Sequence, residues 1–234
     1  SVKDCEIYGN AWGGLNVENQ ASGTYTNCHI HDNVENGLII SGSSTPSFED
    51  CKIHDNKTEG EYYPGVVVDE NSNPSLKACE IYGHLSVGIW VKDQASGTYT
   101  NCHIHDNQSN GLNIGGSSTP SFEDCEIHDN KTEGEKYPGV VVKESSNPSI
   151  KDCEIYGHLA SGIWVKDQAS GTYTNCHIHG NQGYGLNIEG SSTPSFKDCE
   201  VYNGKGIFVG GQATGSFEGC HIHDIGEHNG LYIN

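Results

Sequence analysis

The sequence predicts an all-β solenoid, a rod of about ten stacked coils of about 23 residues each. Three observations predict it. Cysteines stand at positions 5, 28, 51, 79, 102, 125, 153, 176, 199 and 220, so the gaps run 23, 23, 28, 23, 23, 28, 23, 23 and 21. Each cysteine opens the same short string, as in Cys28-His-Ile-His-Asp, Cys51-Lys-Ile-His-Asp and Cys79-Glu-Ile-Tyr-Gly. A longer period of three coils overlies the short one, and Cys5, Cys79 and Cys153 open its successive near-copies. Self-similarity at such periods is the signature of an array in which each unit packs only on its neighbours. The expected organisation is one domain over residues 1–234, made of three-coil units with the last shortened.

Each coil carries three strand-like pieces. In the coil from Cys28, the first is Cys28-His29-Ile30-His31, which alternates small or apolar with polar residues, the period of a half-buried strand. Asp32-Asn33 turns the chain. The second piece is Gly37-Leu38-Ile39-Ile40, and the third is Ser47-Phe48-Glu49, which runs into Cys51. No segment shows a helical apolar period. One coil cannot bury its apolar face alone, so burial comes from stacking, with ~4.8 Å between neighbouring coils. Equivalent residues then form inward columns: Tyr25, Phe48, Leu76, Tyr99 and Phe122 in one, the cysteines in the next, Ile7, Ile30, Ile53 and Ile81 in a third, and Leu15, Leu38, Val66 and Ile89 in a fourth. The glycine before each second strand (Gly14, Gly37, Gly65, Gly88) is expected to permit a backbone bend. Asn33, Asn56, Asn107, Asn130 and Asn181 fall at one turn, where stacked amides can hydrogen-bond from coil to coil.

A cysteine column is expected to be a ladder of free buried thiols. Parallel side chains ~4.8 Å apart hold their Cβ atoms too far apart for the 3.5–4.5 Å that a disulfide needs. The net charge is −19, with 12 lysines and no arginine. An acidic surface disfavours nucleic acid and anionic lipid and fits simple solubility, Ca²⁺ or a cationic partner. No stretch approaches the ~20 apolar residues of a membrane span. The chain starts at Ser1 in mid-repeat and contains no methionine, so it is expected to be a mature product or a segment of a longer protein. Neither end carries a capping helix, and uncovered terminal coils are expected to favour end-to-end self-association.

The parallel crossovers favour one hand, so the fold class is a right-handed parallel β-helix. The strings "NPSIKDCEIYG", "GIWVKDQASGTYTNCHIHGN" and "GLNIEGSSTPSFKDCEVY" resemble the repeats of pectate-lyase-like proteins, especially the CASH-type repeats of carbohydrate-binding proteins and sugar hydrolases. The resemblance spans the chain and implies the fold. It leaves function open, because that fold hosts lyases, hydrolases, epimerases and binding modules. Pectate-lyase-like enzymes often use a catalytic arginine, and this chain has none. The Gly-His-Gly motif of polygalacturonases and the Asp-Pro-His-Asp motif of alginate epimerases are also missing.

Three features can carry chemistry. Outward positions of the second strand are unusually apolar: Ile39, Val67, Trp90, Val141 and Trp164 among them, where solvent should select polar residues. Two coils are longer than the rest, with their extra residues in 57–64 and 131–138. These loops carry Tyr62, Tyr63 and Tyr137 and flank the apolar stripe. Together these residues form the candidate ligand-binding surface. The histidine pairs His29 with His31, His103 with His105, and His177 with His179 are spaced i, i+2 and face one side of a strand, ~7 Å apart. Such a pair can chelate a transition metal, although no recurrent third ligand stands out. No cofactor is required, and Ca²⁺ or a transition metal is compatible with these residues. Catalysis needs one asymmetric constellation, whereas the carboxylate pairs here, such as Glu49 with Asp50 and Glu123 with Asp124, recur with the three-coil period. The expected function is a non-catalytic module presenting a repeated face to a glycan or protein ligand. The alternatives are a polysaccharide-active enzyme and a structural spacer.

Overall fold

The computed structural model describes residues 1–56, 63–130 and 137–234. Among them the chain forms three ten-stranded parallel sheets and no helix. Nearly every strand has three residues. The first-strand sheet runs from Glu6–Tyr8 to His221–His223, the second-strand sheet from Leu15–Val17 to Leu231–Ile233, and the third-strand sheet from Val2–Lys3 to Ser216–Glu218. Each strand pairs with its counterpart one coil away, so Ile30 faces Ile53, Leu38 faces Val66 and Phe48 faces Leu76. The columns read from the sequence are therefore real; their interior members are almost wholly inaccessible, and those near the two ends, such as Ile7, Leu15 and Tyr25, are partly buried. Each buried aliphatic side chain contributes roughly 1.5–3 kcal/mol.

Strands this short need sharp corners. The residue before each cysteine takes a left-handed conformation: φ is 51° at Asn27, 54° at Asp50 and 54° at Asp124. The residue after each first strand does the same, with φ of 50° at both Asp32 and Asp55. Asp, Asn and Gly tolerate this region best, and these types fill almost all of the corner positions. The repeated Asp-Cys and His-Asp pairs in the sequence are thus corner signals.

The ten cysteines are free; eight are buried, Cys220 is half-buried and Cys5 is exposed in the outermost coil. The thiols hold the corner carbonyls: Cys51 Sγ donates to Glu49 O at 3.3 Å and Tyr25 O at 3.5 Å. A hydrogen bond with the Cys102 thiol, together with burial, pushes the Cys125 thiol up to about 12. Cys125 is therefore a poor source of thiolate.

The asparagine turn forms a second ladder. Asn107 Nδ2 and N donate to Asn130 Oδ1 at 2.8 and 3.1 Å, and Asn130 Nδ2 donates to the carbonyls of Ile104 and His128 at 2.9 and 3.0 Å. A parallel serine ladder, with Ser44 N on Ser72 Oγ at 3.1 Å, was not evident in the sequence. The glycines before the second strand (Gly14, Gly37, Gly65 and Gly88) stand at bends, as expected. Gly37 is absent from the residues with positive φ. A Cβ there would lie 2.5 Å from the Asn56 amide and 2.6 Å from an Ile53 methyl. Glycine at this bend also permits the close approach of the turn ladder.

His84 and His158 occupy the ladder in the coils that follow the two long loops. Both are fully buried. His158 sets Nδ1 3.2 Å from Asn130 O and Nε2 3.1 Å from Ile127 O. Burial draws each ring down to about 4, against the opposing pull of the carbonyl contacts. Each imidazole closes on the glycine that follows a long loop, Gly65 or Gly139, where a Cβ would lie 2.2 Å from the nearest ring atom.

Candidate functional site

The second-strand sheet points one column outward: Asn16, Ile39, Val67, Trp90, Asn113, Val141, Trp164, Asn187, Phe208 and Tyr232 in register. Ile39, Trp90 and Trp164 are half-buried. Val67 and Val141 point outward as expected but are only 8% and 6% exposed, so they form a floor rather than a contact surface. Tyr137 and Pro138, at the exit of the second long loop, join Val141, Trp164, Lys143 and Lys166 around a cleft of about 270 Å³. Tyr63 is half-buried at the matching position of the first loop, and Tyr62 lies outside the described residues.

The two indoles differ in their polar partners. Trp164 Nε1 donates to Glu189 Oε2 at 3.0 Å. The matching position one three-coil unit earlier is Gly115, and Trp90 Nε1 has no partner among the described residues. Asn113 Oδ1 and Asn187 Oδ1, next to the indoles in register, are likewise shielded and unpartnered. Such atoms in native structures are ordinarily served by water or by a ligand. An ammonium lies over each indole, Lys92 at 5.5 Å and Lys166 at 4.2 Å from the ring centre. Lys92 is also paired with Asp69 at 3.2 Å and Asp93 at 2.9 Å.

The first-strand sheet presents a different surface. Tyr8, His31, His54, Tyr82, His105, His128, Tyr156, His179, Tyr202 and His223 form one continuous stack, with centroids 4.7–5.2 Å apart and planes within 11° of parallel. Stacking consumes both faces of every interior ring and leaves only edges to solvent. The partners His29, His103 and His177 stand two residues before His31, His105 and His179, in a neighbouring outward column. Among the described residues, no three His, Cys, Asp or Glu side chains gather round a point that could hold an ion as they stand. No helix among them is long and apolar enough to cross a membrane.

Residues 1–137 and 138–234 both match the family described as the right-handed beta helix region. The chain belongs to the right-handed β-helix family. No curated protein matches this β-helix in sequence. Solved structures do match in shape. Tailspike protein 2 of Escherichia coli O157:H7 bacteriophage CAB120 is similar with a TM-score of 0.63 at 11% identity, over 92% of this chain and 40% of that one. A variant of the periplasmic alginate epimerase AlgG gives 0.63 at 12% identity, over 94% and 70%. The A-module of Azotobacter vinelandii mannuronan C-5 epimerase AlgE4 gives 0.56 at 12%, over 92% and 83%. The β-helix thus spans well under half of the tailspike. At these identities the likeness is one of fold.

Proposed function

We propose that this β-helix is a non-catalytic binding module that takes a glycan chain along the outer face of its second-strand sheet. The observation that carries this reading is the pairing of half-buried indoles with unpartnered polar atoms. Trp90 and Trp164 each offer part of a flat apolar ring beside a lysine ammonium, with Asn113 and Asn187 next to them in register. Carbohydrates present apolar C–H faces and hydroxyl edges, so a site needs both kinds of group. Trp90 and Trp164 are three coils apart, or ~14 Å, which suits an extended ligand touching both. The ring stack of the first-strand sheet lacks open faces and suits a sugar less well. Two of the similar structures are, by name, epimerases of alginate and mannuronan, so polymeric sugars come first among the ligands to try.

Trp90→Ala and Trp164→Ala should each weaken retention of the recognised glycan by about 5- to 50-fold, in the range of an aromatic anchor. Their melting temperatures should stay near that of the parent protein, because both side chains lie outside the core. Affinity electrophoresis on a panel of polysaccharides reads the first quantity and thermal unfolding reads the second. A large loss of stability with unchanged retention would assign the indoles to the scaffold.

A further inference from the structure

We propose that the outer face of the first-strand sheet carries two divalent-metal sites, each made from two histidines of one strand and a glutamate from each adjoining coil. The first comprises Glu80, His103, His105 and Glu126. The second, one three-coil unit further on, comprises Glu154, His177, His179 and Glu200.

The register brings these donors together. Glu80 pairs with His103, and His103 with Glu126. Glu154 pairs with His177, and His177 with Glu200. Coil stacking therefore supplies the third and fourth ligands that the sequence spacing of the histidines lacked. His105 Nε2 lies 3.3 Å from Glu80 Oε1 and His103 Nδ1 lies 3.7 Å from Glu126 Oε2. In the second group the corresponding separations are 2.8 Å for His179 with Glu154 and 3.4 Å for His177 with Glu200. Two donors bound to one zinc ion stand roughly 3–3.5 Å apart. The four donors of a group do not yet surround one point. His103 and His177 are about half exposed, as are the glutamates paired with them, so rotation of these outer side chains is unhindered by packing.

His105 adds an independent sign. Its Nδ1 is 2.8 Å from Asp106 Oδ2 while its Nε2 faces Glu80. A neutral imidazole has one N–H, so one of these contacts sets a ring lone pair against a carboxylate oxygen. A second proton or a metal ion in front of Nε2 removes the conflict. With the metal there, Nδ1–H donates to Asp106, the arrangement that orients a ligating histidine. Stacking between Tyr82 and His128 already fixes the ring plane. The net charge of −19 draws cations to the surface.

The repeat also contains its own control. The matching first group has Glu6, His29 and His31, but Lys52 stands where Glu126 and Glu200 stand in the others. That ammonium repels a cation from the His29 pair, so His29 and His31 are excluded as a site. It also lies 2.6 Å from Glu80 of the first site, so metal there must displace it and the first site is expected to bind more weakly than the second. His221 and His223 have only Glu200, which serves the second group.

Calorimetric titration of the folded protein with Zn²⁺, repeated with Ni²⁺, tests this. The expected result is two ions per chain. The pair His103→Ala with His105→Ala should remove one, and His177→Ala with His179→Ala should remove the other. The pair His29→Ala with His31→Ala should change nothing, and Lys52→Glu should raise the count to three. Circular dichroism on each variant checks the fold, which exposed substitutions should leave intact. Absence of binding at millimolar metal, or the same two ions in the His103 and His177 double variants, would overturn the proposal.

Discussion

Between pH 7 and pH 4 the rod is expected to lose stability steeply, and two buried histidines are expected to account for much of the loss. His84 and His158 are drawn by burial from the usual value near 6.5 down to about 4 in the folded chain. At pH 7 both are neutral in either state and contribute nothing to the pH dependence. As the pH falls below about 6.5, the unfolded chain binds protons that the folded chain refuses, so stability falls until the folded value is reached. The loss is on the order of 2–3 kcal/mol for each histidine. Carboxylates titrate near the lower end of the same window, so the variant comparison decides the cause. His84→Asn with His158→Asn places the usual ladder residue at both positions and should flatten the profile between pH 6.5 and 4.5. Urea unfolding at a series of pH values gives the slope directly. An unchanged slope in the double variant would remove these histidines from the explanation.

Asn130→Ala is expected to be among the most damaging single substitutions, at roughly 3–5 kcal/mol. The side chain accepts two hydrogen bonds from Asn107 and donates two to the carbonyls of Ile104 and His128. Truncation leaves buried donors and acceptors unpaired on two coils at once, and each such group costs about 1–3 kcal/mol. Neighbouring coils stabilise each other in a solenoid, so the damage should spread beyond one turn. Denaturant unfolding, with Thr98→Ala at an exposed position as the control, measures it. A loss below about 1 kcal/mol would mean that water replaces the ladder.

The columns were legible because stacking turns a sequence period directly into a contact. Ile30 and Ile53 occupy matching places in successive coils, and they touch in the structure. The cysteine column was legible for the same reason. What remained hidden depends on the space between coils rather than on the period. Gly37 reads as a bend residue and stands at a bend, but the overlying Asn56 and Ile53, which leave no room for a Cβ, make no mark in the period. His84 and His158 interrupt the asparagine series and so fell outside the pattern, although their spacing from the preceding cysteine equals that of Asn107 and Asn181. The glutamate partners of the histidine pairs lie a whole coil away along the chain and become neighbours only through register. Along the outer stripe, the sequence marked Trp90 and Trp164 but gave no sign that Val67 and Val141 would be covered, because side-chain lean across coils has no period of its own. The polar mismatch between the indoles turns on a single difference, Glu189 against Gly115.

Binding without turnover on the second-strand face is tested most directly by incubating the protein with a panel of neutral and uronate polysaccharides. Retention, chain length and residue composition are followed on the same samples. The expected result is retention of at least one polymer, with its length and composition unchanged after prolonged incubation. Shortened chains, unsaturated ends or altered stereochemistry would contradict the proposal and make the β-helix an enzyme.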